Sequence, residues 1–166
     1  MAPEDEDAHY NLGIALAAAG NGAEARKAYE RALEIFPDYG EAHNNLGNLL
    51  TSENDFAAAK SHLQKALEID PKNAAAHNNL GTVFAKEGNV AEAIPHFSEA
   101  VSWKADYLQA RLNLANAYIL LNRFEEAARE LDTALKIDPS YEPAQKALAR
   151  LRVRTPRGPS SSTAPG

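Results

Sequence analysis

Asparagine and histidine recur along this sequence at a fixed interval. Asn11, Asn45, Asn79 and Asn113 stand 34 residues apart, and His9, His43 and His77 precede the first three by two residues each. More polar groups gather around the asparagine row: Asn44, Asn48, Asn78, Thr82, Asn116 and Tyr10. A carboxamide offers a donor and an acceptor, which together match a peptide group whatever side chain it carries. A regular row of them could therefore hold the backbone of an extended chain. A row of imidazoles suggests zinc instead, but zinc ligands must gather at about 2 Å from one ion. Equivalent side chains a helix diameter apart cannot converge in that way. The histidines, including the second row of His62 and His96, are therefore not expected to hold a metal, and no cofactor is implied.

These rows belong to a repeat that covers most of the chain. Segments 6–39, 40–73, 74–107 and 108–141 align without a gap, so their positions can be numbered 1 to 34. Position 7 is leucine throughout (Leu12, Leu46, Leu80, Leu114), and position 8 is Gly13, Gly47, Gly81 or Ala115. Alanine fills position 20 (Ala25, Ala59, Ala93, Ala127) and position 27 (Ala32, Ala66, Ala100, Ala134). Large apolar residues hold position 11 (Leu16, Leu50, Phe84, Tyr118) and position 24 (Tyr29, Leu63, Phe97, Leu131). Both sets have helical spacing. Between them lie Gly20-Asn21-Gly22, Asn54-Asp55, Gly88-Asn89 and Asn122-Arg123, and three units close at Pro37, Pro71 and Pro139. Each unit therefore reads as two amphipathic helices joined by a tight turn. In period and in the placing of small and large residues it resembles the tetratricopeptide repeat. One such pair cannot bury its apolar face alone, so the expected fold is an all-α, right-handed solenoid of four repeats. Residues 142–154 add a capping helix with Ala144, Ala147, Leu148 and Leu151 on one stripe, and 155–166 read as an unpacked Pro, Ser and Gly tail. Two departures stand out: Pro95, past the first turn of a helix, should remove a backbone bond and distort it, and Trp103, replacing isoleucine, should fill extra space.

With positions 4, 7, 8 and 11 packed, positions 2, 6, 9 and 13 fall on the opposite face of each first helix, and position 5 flanks them. The asparagines at position 6 thus form a ladder, with Asn48, Thr82 and Asn116 at position 9 and Tyr10, Asn44 and Asn78 at position 5. The resemblance implies that first helices line a concave surface, and the ladder is similar to that of the O-GlcNAc transferase superhelix, where such amides hold an extended peptide. The other reading is that these amides are solvated or bond between neighbouring helices. Ile14, Leu112 and Leu120 would add apolar contacts at the two ends, while Asp7 and Glu41 bias the first end toward neutral or basic ligands.

Composition narrows the function classes. The 166-residue chain has a net charge of -6 and no cysteine, which disfavours nucleic acid as a partner and excludes disulfides and thiolate chemistry. No apolar run could span a bilayer, and the acidic start MAPEDEDA is unlike a secretory signal, so a cytoplasmic setting is expected. The resemblance also implies a test: chaperone-binding members of the family clamp a C-terminal carboxylate with cations, and here Tyr10, Ala75 and Asn79 occupy the matching positions and Ile14 replaces the first of the two asparagines, so capture of such tails is not expected. The reading is a non-enzymatic protein-interaction module whose partner is an extended protein segment. The alternatives are a substrate-recruiting part of a larger enzyme such as a glycosyltransferase, or a structural unit with weak self-association through the repeat ends.

Overall fold

A computed structural model describes residues 5–154; the segment read as an unpacked tail lies outside them. The described residues form α1 (Glu6–Ala18), α2 (Gly22–Ile35), α3 (Gly40–Ser52), α4 (Phe56–Ile69), α5 (Ala74–Lys86), α6 (Val90–Trp103), α7 (Leu108–Leu120), α8 (Phe124–Ile137) and α9 (Glu142–Arg154). Odd-numbered helices are the first helices of their units and even-numbered ones the second.

The turn chemistry explains where each first helix stops. Gly20, Asn54, Gly88 and Asn122, at equivalent positions, have φ of 81°, 63°, 86° and 59°. This left-handed conformation reverses the chain, and glycine and asparagine tolerate it best. The following N–H then bonds back to the last turn, as in Asn21 to Leu16 O (2.9 Å) and Asp55 to Leu50 O (3.0 Å). Pro95 does not shorten α6, which spans 14 residues like α2, α4 and α8. The proline ring is on the exposed side and forgoes one backbone bond, the one Ala91 O would accept.

Packing is close because the small residues meet the large ones. The alanines at positions 20 and 27 of all four second helices are 0% exposed. A Cβ added to Gly47 would come within 2.6 Å of Leu63 Cγ, and one added to Gly81 within 2.7 Å of the Phe97 ring. Glycine there allows a closer helix approach than alanine would. Trp103 does not fill a gap: it is 47% exposed, with the Lys72 ammonium 5.3 Å from its ring centroid.

Curvature follows from which helices touch. Each first helix packs on its own second helix, on the preceding second helix, and on the neighbouring first helices: α1 on α3, α3 on α5, α5 on α7, α7 on α9. Among the described residues no two second helices approach within 8 Å between Cα atoms. A stack that is narrow along its first helices and splayed along its second helices is concave on the first-helix side. The described residues form an all-α solenoid of four helix pairs followed by α9.

Candidate functional site

The amides of position 6 are held by bonds that cross from one unit to the next. Asn79 Nδ2 donates to Asn44 Oδ1 at 2.9 Å, and Asn113 Nδ2 donates to Asn78 Oδ1 at 2.9 Å. Asn45 Nδ2 donates to the Tyr10 hydroxyl at 3.2 Å. All three connect residues 35 apart, so position 6 of one first helix always meets position 5 of the helix before it. Asn11 heads the row on α1, the first described helix, and is exposed. An amide nitrogen carries two hydrogens. One bond therefore fixes the plane of the carboxamide and leaves its second N–H unassigned by this contact. On the acceptor side, Asn45 Oδ1 takes a bond from Asn44 Nδ2 at 3.2 Å and Asn113 Oδ1 takes one from Gln109 Nε2 at 2.9 Å.

The predicted residues divide by depth. Asn11, Asn48 and Asn116 are exposed; Tyr10, Asn44, Asn45, Asn79, Thr82 and Asn113 are half-buried on the same side. Asn78 departs from the sequence reading: at 5% exposure it lies beneath this surface, and its oxygen supports the next rung rather than lining the open face. Thr82 Oγ1 donates to Asn78 O at 2.9 Å and is partly committed to its own helix. Among the described residues, creases separate successive first helices. One, of about 400 Å3, is lined by Ile14, Ala17, Tyr29, Asn45, Asn48, Leu49 and Ser52 between α1 and α3. Equivalent creases follow between α5 and α7 and between α7 and α9. Between α3 and α5, Lys86 crosses the corresponding space and donates to Thr51 O at 3.1 Å.

The first end is built from tyrosines and carboxylates. Tyr39 donates to Asp7 Oδ1 at 2.6 Å, and its ring lies 4.8 Å from that of Tyr10. Burial raises the Tyr39 phenol above its usual range, and the Asp7 bond adds to this because it favours the neutral phenol. Burial also raises Tyr10, as does the Glu41 carboxylate, against the opposing bond from Asn45.

The position 4 row has a structural use that the sequence reading missed. His43 Nε2 and His77 Nε2 lie 2.9 and 3.0 Å from Pro37 O and Pro71 O. Arg111 Nε donates to Ala105 O at 2.9 Å, and Gln145 Nε2 to Pro139 O at 2.7 Å. All four are N–H donors that tie a first helix to the carbonyl closing the preceding unit. The signal was present in the row itself, because histidine, arginine and glutamine share little else. A carbonyl only accepts, so Nε2 of His43 carries the proton and, in the neutral ring, Nδ1 accepts. That Nδ1 lies 2.9 Å from Nδ1 of His62 on the paired helix, which must donate. The same two positions hold Arg111 and Glu130 in the fourth unit, 2.7 Å apart. Burial lowers the pKa of His62, and His43 lowers it further; burial and then His77 do the same to His96. Among the described residues no group of three His, Asp or Glu could hold a metal ion.

Models of the tetratricopeptide repeat match residues 4–72, 44–107 and 84–151. The chain belongs to the tetratricopeptide repeat family. No curated protein matches the chain at a significant level. Among solved structures, PilF of Pseudomonas aeruginosa superposes with a TM-score of 0.83 at 24% identity, covering 90% of this chain and 68% of that one. YrrB, a TPR protein with an unusual peptide-binding site, gives 0.73 at 22% identity over 92% of this chain and 79% of its own. TTC0263, a thermophilic TPR protein in Thermus thermophilus, gives 0.76 at 22%, over 92% and 84%. At these identities the likeness is one of fold. What the family models and these structures share with the chain is the repeated pair of helices. No helix of the described residues is long and apolar enough to cross a membrane.

Proposed function

We propose that this tetratricopeptide repeat chain receives an extended segment of another protein along its first-helix face, with Asn11, Asn45, Asn79 and Asn113 bonding the segment's backbone. The observation that supports this most is the cross-unit bond of each inner rung: Asn45, Asn79 and Asn113 are each anchored by one N–H to the helix before. Inter-helix bonding and peptide binding are then compatible rather than exclusive. A carboxamide whose plane is already fixed loses little freedom when a ligand arrives, which favours binding. The peptide-binding site of YrrB, a protein of the same fold, lends support by analogy. Asn48 and Asn116 stand beside the ladder, and the half-buried Tyr10 and Thr82 flank it.

The test is selection of displayed linear dodecapeptides on the wild-type protein. Recovered peptides are then compared on wild type and on Asn45→Ala/Asn79→Ala. The expected result is a drop of about tenfold or more in affinity, equivalent to about 1.4 kcal/mol, with the helical circular dichroism unchanged. Peptides that bind the double variant as well as the wild type would refute the ladder as the binding element.

A further inference from the structure

The two halves of the first-helix face differ in charge. α1 and α3 carry Glu6, Asp7 and Glu41, whereas α5 and α7 contain no carboxylate at all. α9 has one, Glu142, and it is paired with Lys146. Arg150, on the exposed side of α9, has no ion-pair partner among the described residues. Lys86 closes the other edge of this half, its ammonium on Thr51 O.

The same half holds two neighbouring creases of equivalent make-up. One, of about 210 Å3 between α5 and α7, is lined by Ala85, Phe97, Ala117 and Leu120 together with Thr82, Lys86 and Asn113. The other, of about 510 Å3 between α7 and α9, is walled by Ile119, Ala147, Leu151 and Val153, with Arg150 at its margin. Asn116 lines both and separates them. Leu120 and Val153, at 66% and 82% exposure, leave apolar surface that the fold does not cover. α9 is thus more than a cap, because it supplies one wall of a crease and that wall's cation.

The general spacing of packed helices bears on the conformation of a chain that would fill both creases. Packed helices lie about 8–10 Å apart. Three residues of polyproline II advance about 9.3 Å and return a side chain to the same face. Two residues of a β-strand advance only about 6.6–6.8 Å before the same face recurs, which falls short of the next crease. We infer that α5, α7 and α9 form a two-crease site for a protein segment in the polyproline II conformation, with apolar side chains three residues apart and acidic side chains flanking them. The apolar residues enter the creases on either side of Asn116, and the flanking carboxylates meet Arg150 and Lys86. This rests on the peptide-binding reading above and adds register, conformation and charge to it.

The probes are acetylated and amidated dodecapeptides, so that no terminal carboxylate contributes. One has two leucines at i and i+3 in a proline-rich setting with flanking glutamates; a second moves them to i and i+2; a third replaces the glutamates by lysines. Fluorescence anisotropy at low salt is expected to show the first binding at least about tenfold more tightly than either control, a difference of about 1.4 kcal/mol. Arg150→Glu, at an exposed position, should weaken the first peptide at least about fivefold and reverse the preference between glutamate and lysine flanks. Leu120→Asn should remove the difference between the two leucine spacings. Equal binding of all three peptides, with a loss in Asn45→Ala/Asn79→Ala, would leave the groove reading standing and overturn this one. Failure of all three to bind at millimolar concentration would also overturn it, while the displayed-peptide selection decides the groove reading on its own.

Discussion

The cross-unit bond between Asn113 and Asn78 makes a sharp test of how the ladder is built. Asn113 Nδ2 donates at 2.9 Å to an oxygen on a side chain that is only 5% exposed. Asn113→Ala removes the donor and leaves that oxygen buried without it, which costs about 1–3 kcal/mol. Alanine is the better helix former by up to roughly 0.7 kcal/mol, so the net loss should be about 0.5–2 kcal/mol. Asn79→Ala removes a bond of the same length, but its acceptor, Asn44, is half-buried and water can replace the donor. The lost bond, about 1 kcal/mol, then nearly cancels the gain in propensity, and the net change should be under about 0.5 kcal/mol. Asn78→Ala/Asn113→Ala removes donor and acceptor together and should recover most of the Asn113→Ala loss, with a coupling of about 1 kcal/mol. Urea unfolding followed at the helical dichroism band measures the five proteins required: wild type, Asn78→Ala, Asn79→Ala, Asn113→Ala and Asn78→Ala/Asn113→Ala. Comparison is valid where the slope against denaturant is unchanged, since a repeat stack can lose cooperativity. If Asn113→Ala proves no worse than Asn79→Ala, or the two substitutions at Asn78 and Asn113 add without coupling, the buried oxygen does not depend on this bond.

Two other predictions concern the histidines and Leu12. The pKa values of His62 and His96 are lowered in the folded protein, so below about pH 6.5 the unfolded chain binds more protons than the native one. Their contribution to stability is complete above that pH and is lost as pH falls toward their folded values; thermal midpoints should drop as pH falls below about 6.5, and less so in His62→Gln/His96→Gln. An equal drop in that variant would assign the effect to other groups. Leu12 on α1 is 50% exposed, whereas Leu46, Leu80 and Leu114, its equivalents, are 0%, 3% and 2% exposed against a preceding second helix. Weak self-association through this end should appear in sedimentation velocity as a concentration-dependent rise that Leu12→Glu abolishes; a wild type that sediments as a monomer at every concentration would refute it.

The local code of this protein is written in its residue order. Gly20, Asn54, Gly88 and Asn122 announce the ends of the first helices because few other residues accept positive φ. The spacing of Leu46, Gly47 and Leu50 marks the packed face of α3, and all three are buried. It follows that Asn45 and Asn79 stand on another face, since angular position on a helix depends only on separation along the chain.

What meets what across helices is a different kind of fact. That Asn79 reaches Asn44 rather than Asn45, that Asn78 is covered while Asn44 is not, and that His43 lies between Pro37 O and His62 all depend on how far one helix slides past the next. That slide is set by interlocking of side chains from separate segments, such as Leu63 against Gly47. No periodicity within one helix contains it. Residue order alone therefore suffices for the repeat, the helices and the face that carries the amides. Which of those amides support their neighbours, and that α9 closes a crease beside Asn116, emerge only once the helices are stacked, because both rest on contacts between residues distant along the chain.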